Sequence, residues 1–298
     1  MQQKIFITGG TGFIGKNLIK FLLEKGYDIG ALLRINSRTP EFAGQKNKVK
    51  IFFYDGTIGS IHNALLEYQP NIVIHLATFY KASHQQNEID AMIESNISFG
   101  TKLLEAMLQN QKYKLINVGT LYQNYNNETY YPVNLYSAMK QSYFDIIRYY
   151  STSSPLRVVN LKFLDTYGVN DTRPKILNIL IDAALNGTTL DMSPGNQYVD
   201  LVYIEDVMSA FTVAIERLNH MANGSNECYS IHSVQPIRLR KLVDVVSNIC
   251  GKEIKINWGK KEYRKIEVME PITCVDTLPG WSQKIFLEDG IKRLLKSK

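Results

Sequence analysis

The sequence predicts the α/β class, a doubly wound parallel sheet with a smaller C-terminal lobe. Short apolar runs alternate with amphipathic stretches over residues 1–166, the first run breaks into a glycine-rich turn, and the alternation weakens after Tyr167. Strands alternating with helices form βαβ units, and right-handed crossovers then cover both faces of a parallel sheet. At 298 residues and 45% hydrophobic content, the chain can bury a full core and carry a second lobe.

The elements follow in order. Residues 4–8 (KIFIT) form a first strand that stops at glycines, and 17–24 (NLIKFLLE) has helical spacing up to a Lys25-Gly26 stop. Strands follow at 29–34 (IGALLR), 49–54 (VKIFFY) and 71–77 (NIVIHLA), with a helix near 59–68 between the last two. A helical stretch at 89–108, a strand at 114–118 (KLINV), a helix at 135–150 and a strand at 156–163 (LRVVNLKF) complete a nucleotide-binding domain over 1–166. Residues 167–298 form mainly a substrate lobe, with helices near 175–186, 205–218, 238–248 and 288–296, and the chain can return to the first domain after 200.

Composition excludes several classes. No apolar window is long enough for a membrane span, and the N-terminus lacks a signal-peptide layout, so a cytoplasmic protein is expected. Cys228, Cys250 and Cys274 are sparse and odd in number, which predicts buried or half-buried thiols rather than disulfides, and no metal-ligand spacing is present. The net charge of +6 is dispersed, its densest stretch being Lys260, Lys261, Arg264 and Lys265. Such a balance suits a small dianionic substrate better than DNA or RNA.

Gly9-Gly10-Thr11-Gly12-Phe13-Ile14-Gly15 joins the first strand to the first helix. There, Gly9 permits the tight turn, Gly12 lets a pyrophosphate approach the backbone, and Gly15 lets helix and strand pack closely. The turn makes the fold Rossmann-type and predicts a dinucleotide. The second strand ends at Arg34, with Arg38 beyond and no carboxylate between Gly30 and Pro40, which predicts NADPH (NADP) over NADH. Asp55, past the third strand, is placed either to accept from the adenine amino group or to cap a helix.

Tyr136 and Lys140 are four residues apart in a helical segment and share one face. A neighbouring ammonium favours tyrosinate, so the pair suits proton transfer at a carbonyl, and Lys140 can also hold the nicotinamide ribose. Thr120 ends the fifth strand, where its hydroxyl can steady a substrate oxygen.

These residues resemble the extended short-chain dehydrogenase/reductases, the NAD-dependent epimerase/dehydratase family. The likeness extends through Ile74-His75-Leu76-Ala77, through Asn96 to Ala106 (NISFGTKLLEA), through Tyr203 to Val207 (YIEDV) and through Leu278 to Trp281. It implies that Thr120, Tyr136 and Lys140 are catalytic, and that Phe13, Ile14, Ala77 and Asn96 serve the cofactor, Asn96 by positioning Lys140. It further implies a nucleotide-diphosphate sugar as substrate, with Thr78 and Asp165 facing it, and a homodimer through the helices at 89–108 and 135–150. Thr120 is followed by Leu121-Tyr122 rather than the Asp-Glu of sugar 4,6-dehydratases.

Residues 116–120, 134–137, 161–162 and 166–168 are similar to the CDP-paratose and CDP-abequose synthase group. That likeness implies NADPH-dependent reduction of the 4-keto group of a CDP-4-keto-3,6-dideoxyhexose, or of a dTDP- or GDP-4-keto-6-deoxyhexose, for surface polysaccharide. An NAD-dependent nucleotide-sugar 4-epimerase and a non-catalytic dinucleotide sensor are the alternatives. Val199-Asp200 stands where many relatives have an Arg-Asp pair that grips diphosphate, and Asp165 stands where Asn is frequent. Arg264 is then the expected diphosphate clamp, with Arg173 second.

Overall fold

A computed structural model describes residues 2–37 and 48–297. Arg38 lies outside the described residues. In chain order the first half comprises β1 (Lys4–Thr8), α1 (Phe13–Glu24), β2 (Asp28–Arg34), β3 (Val49–Tyr54), α2 (Ile58–Tyr68), β4 (Ile72–His75), α3 (Ile89–Ile93), α4 (Phe99–Gln109), β5 (Lys114–Thr120), α5 (Leu135–Ser153) and β6 (Arg157–Phe163). The second half comprises β7 (Asp165–Tyr167), α6 (Ile176–Asn186), β8 (Leu190–Met192), β9 (Tyr198–Val199), β10 (Leu201–Tyr203), α7 (Ile204–His220), β11 (Asn226–Ile231), β12 (Ile237–Arg238), α8 (Leu239–Cys250), β13 (Ile256–Trp258) and α9 (Leu287–Lys296).

Seven strands form one parallel sheet in the order β11-β6-β5-β4-β1-β2-β3. Side chains alternate across it. Ile5 and Ile7 face α1 and α7, packing on Leu18, Ile19, Val207 and Phe211, while Phe6 faces the opposite layer of Leu65, Leu103, Tyr143 and Ile147. Each of these side chains is fully buried, which is worth roughly 1.5–3 kcal/mol apiece. The crossovers reverse direction between β1 and β4, and a crevice opens there at the carboxyl ends of the strands.

The helices begin where their caps allow. Thr57 caps α2 by accepting from Ser60 N, and Asn134 and Ser137 form a reciprocal capping box at α5. The helix expected at 89–108 is α3 and α4 joined by a π-helical turn at Glu94–Ser98. Beyond β6, strand β11 completes the main sheet and α7 packs on it, while α6, α8 and three two-stranded pairs (β7 with β10, β8 with β13, β9 with β12) build up the C-terminal side.

One expectation is corrected. Cys228 and Cys274 are exposed, and only Cys250 is partly buried. Cys228 sits on the edge strand β11, and Cys274 on an irregular segment where its Sγ donates to Glu128 O at 3.9 Å. Among the described residues, no helix is long and apolar enough to cross a membrane.

Candidate active site

The crevice is built first by glycines. Gly9 has φ +73°, and a Cβ there would lie 2.5 Å from Ala77 N. A Cβ on Gly15 would lie 2.3 Å from Gly9 O, whereas one on Gly12 would meet only Gly9 O, at 3.4 Å. Gly12 caps α1 without any side-chain hydrogen bond, and the first turn holds no acidic residue. An anion therefore finds an open approach, free N–H groups and the positive end of a helix, and a dinucleotide pyrophosphate fits these residues. Across the switch point, Thr8 Oγ1 and His75 Nδ1 share a 2.8 Å hydrogen bond that ties β1 to β4. Burial, with the Lys140 charge nearby, pushes His75 down to about 3, so it stays neutral and structural.

Thr120, Tyr136 and Lys140 line one cleft, together with Gly9, Gly12, Phe13, Ile14, Gly15, Thr78 and Asp165 from the sequence-derived set. Thr120 is nearly buried at the end of β5, and its hydroxyl accepts from Tyr122 N at 3.2 Å, which leaves its own proton to donate. The capping box of α5 puts Tyr136 in the first turn and Lys140 one turn on, with the ammonium 6.0 Å from the phenol ring centre. Burial pushes the Tyr136 phenol up to about 12 against the pull of the Thr78 hydroxyl, and burial pushes Lys140 down to about 8.

Asn96 is buried, but its contacts differ from those expected. Its Oδ1 accepts from Thr78 Oγ1 at 2.6 Å and from Phe79 N at 3.1 Å, and its Nδ2 donates to Phe79 O at 3.0 Å. The π turn carries it toward the segment after β4, so it holds Thr78 rather than Lys140. Arg34 and Asp55 stand outside the cleft lining, on the β2–β3 side. Arg34 is exposed, and Asp55 Oδ1 accepts from Thr57 N at 2.8 Å and Thr57 Oγ1 at 2.6 Å, an arrangement that steadies the start of α2. Ala77 presents its backbone to Gly9 and donates from N to Thr8 Oγ1 at 3.3 Å.

The cations also differ in placement. Arg264 is exposed and outside the lining, though close enough to the Glu267 and Asp165 carboxylates to feel their charge. Arg173 does line the cleft. Its Nε and Nη2 donate to the two Asp171 oxygens at 2.7 and 2.8 Å, Nη2 also reaches Thr166 O, and its guanidinium lies 4.4 Å from the Phe13 ring centre. Sequence reasoning missed Lys175, Tyr80 and Tyr122, all of which line the cleft. Lys175 stands just before α6 with no motif around it, and only the fold of the 165–175 segment brings it back to Asp165, at 2.7 Å.

A switch-point cleft that accepts a dinucleotide, with a phenol and an ammonium buried beside a strand-end hydroxyl, defines an NAD(P)-dependent α/β oxidoreductase. The chain belongs to the NAD dependent epimerase/dehydratase family, whose profile matches residues 5–231. It is 28% identical over 270 residues to CDP-abequose synthase of Yersinia pseudotuberculosis, a match covering 90% of this chain and 92% of that protein. It is 26% identical over 301 residues to CDP-abequose synthase of Salmonella muenchen, covering 100% and 99%. Among solved structures it is similar in fold to UDP-glucose 4-epimerase of Thermotoga maritima, with a TM-score of 0.84, 22% identity and coverage of 99% and 98%.

Proposed function

We propose that this protein is an NADPH-dependent reductase of the 4-keto group of a nucleotide-linked deoxysugar, a CDP-4-keto-3,6-dideoxyhexose or a dTDP- or GDP-4-keto-6-deoxyhexose. The observation that carries the reading is the buried pair itself, the Lys140 ammonium 6.0 Å from the centre of the Tyr136 ring, lining one cleft with the Thr120 hydroxyl. With its phenol pushed up to about 12, Tyr136 is a proton donor at neutral pH, which is what a carbonyl being reduced requires. The residue after Thr120 supports it too. Leu121 is fully buried in an apolar cluster with Val268 and Ile272, so no acid or base for elimination stands there. The CDP-abequose synthases among its relatives favour a CDP-linked deoxysugar. Arg34 at the end of β2, with no carboxylate from Gly30 to Ser37, favours the 2′-phosphate of NADPH.

The bound dinucleotide supplies the hydride. The chain's own residues do the rest. Thr120 Oγ1 donates to the carbonyl oxygen and fixes its position beside Tyr136. Tyr136 gives its proton to that oxygen as negative charge develops on it. The Lys140 ammonium stabilises the resulting phenolate across a buried gap, where a charge acts strongly. Thr78, held by Asn96, stands beside the phenol.

The test is NADPH consumption by purified protein offered CDP-, dTDP- and GDP-4-keto-deoxysugars, with NMR of the product. The expected result is loss of NADPH with one of them and a new hydroxyl at C4. No consumption with any of them overturns the reading, and tightly held NAD with interconversion of a 4-hydroxyl sugar would replace it with a 4-epimerase.

A further inference from the structure

Three cations line the cleft, and the mechanism above uses one. Lys140 is buried beside Tyr136, and Arg173 has its Nε and Nη2 engaged by Asp171 and Thr166 and its face by Phe13. Lys175 remains. Its ammonium lies 2.7 Å from Asp165 Oδ1 and 4.8 Å from the centre of the Tyr80 ring, and its side chain keeps 25% of its exposure. Tyr80 in turn meets Tyr136 edge to face, with ring centres 5.0 Å apart. One aromatic ring, that of Tyr80, therefore touches both the phenol and this ammonium, and an aromatic ring has about the breadth of a hexose.

This spacing has a chemical counterpart in the substrate class proposed above, on which the inference rests. In a nucleotide-linked 4-keto sugar, C4 and C1 lie across the pyranose ring, and C1 carries the diphosphate. A sugar with its C4 oxygen at Tyr136 and its ring along Tyr80 brings its glycosyl phosphate to Lys175. We propose that Lys175 grips the sugar-proximal phosphate of the substrate, and that Asp165 is a positioning residue that keeps the ammonium at that point. A part-exposed Lys–Asp pair contributes little by itself, whereas a phosphate gives the same ammonium more charge and stronger acceptors. Binding can therefore draw Lys175 from Asp165 without a large loss. The arrangement also gives a role to an acidic residue that would otherwise repel a diphosphate.

Calorimetric titration of the NADP-saturated protein with CDP, dTDP, UDP and GDP, and with the matching monophosphates, tests the assignment. The wild type is expected to bind at least one diphosphate more tightly than its monophosphate. Lys175→Met should weaken that diphosphate by about tenfold or more while leaving the monophosphate within about twofold, and Lys175→Arg should restore most of the difference. Unchanged NADP affinity shows that the variants are folded. In turnover, the nucleotide-sugar KM should rise more than kcat falls. Equal diphosphate affinity of wild type and Lys175→Met overturns the assignment, as does a wild type that binds no nucleoside diphosphate, which also sinks the substrate reading. A Lys175-dependent diphosphate preference in a protein that reduces no keto-sugar overturns the reaction and leaves the phosphate grip standing.

Discussion

Burial acts on Tyr136 and Lys140 in opposite senses, because desolvation disfavours an anionic phenolate and a cationic ammonium alike. The phenol rises to about 12 and the ammonium falls to about 8. In the proposed reaction the acid thus stays armed through the physiological range, and the residue that supports it loses its charge first. Lys140 is protonated below its folded pKa and neutral above it, so kcat/KM should fall as pH rises through about 8, well before the 10.5 of an unperturbed lysine. A pH–rate profile that stays flat to pH 10 would contradict this. Tyr136→Phe should lose about 10²–10⁴-fold in kcat while NADPH affinity holds, as measured by steady-state rates and fluorescence titration. At this scale the Tyr–Lys spacing was legible, because four residues on a helix share a face whatever surrounds them. The partner of Asn96 and the position of Lys175 were not, since one depends on a π turn and the other on how an irregular segment folds back.

Among the elements, the join of β1 to α1 is the most constrained. A Cβ on Gly15 would meet Gly9 O at 2.3 Å and Gly10 Cα at 2.7 Å, and backbone atoms cannot swing aside as a flexible side chain can. Gly15→Ala should cost about 1–3 kcal/mol by overpacking and abolish dinucleotide binding. Gly59→Ala is the control. It lies in α2, where a Cβ meets only Thr57 Oγ1 at 3.7 Å, and the better helix propensity should raise stability by up to about 1 kcal/mol. Thermal unfolding of the two variants should shift in opposite directions, and equal shifts would count against the packing argument. The six strands found in the sequence were legible because buried parallel strands read as apolar runs. The seventh, β11, was not. Its sequence, NECYSI, is polar through its first half, as an edge strand allows. Strands of two or three residues beyond β7 leave no periodicity to read.

For the whole molecule, the chain closes on itself through Asp206. The two Asp206 carboxylate oxygens accept from Lys284 N at 3.0 Å and Ile285 N at 2.9 Å, and its backbone oxygen accepts from Trp281 Nε1 at 2.9 Å. The segment around Leu278–Trp281 is thereby fastened to the start of α7, which packs on the sheet. Two stretches noted separately in the sequence thus form one buckle, a pairing that no local pattern announces. The β1–α1 turn supplies the glycines, β5 supplies Thr120 and α5 supplies Tyr136 and Lys140, while residues beyond β6 supply Asp165, Arg173 and Lys175. The cleft between them is where a reduced dinucleotide and a keto-sugar would have to meet. The most direct measurement uses NADPH deuterated at both C4 positions of the nicotinamide and follows the label into the sugar product by NMR. The account requires one deuterium at sugar C4 for each NADPH consumed. A product inverted at C4 that carries no deuterium, with NADPH left intact, would contradict it.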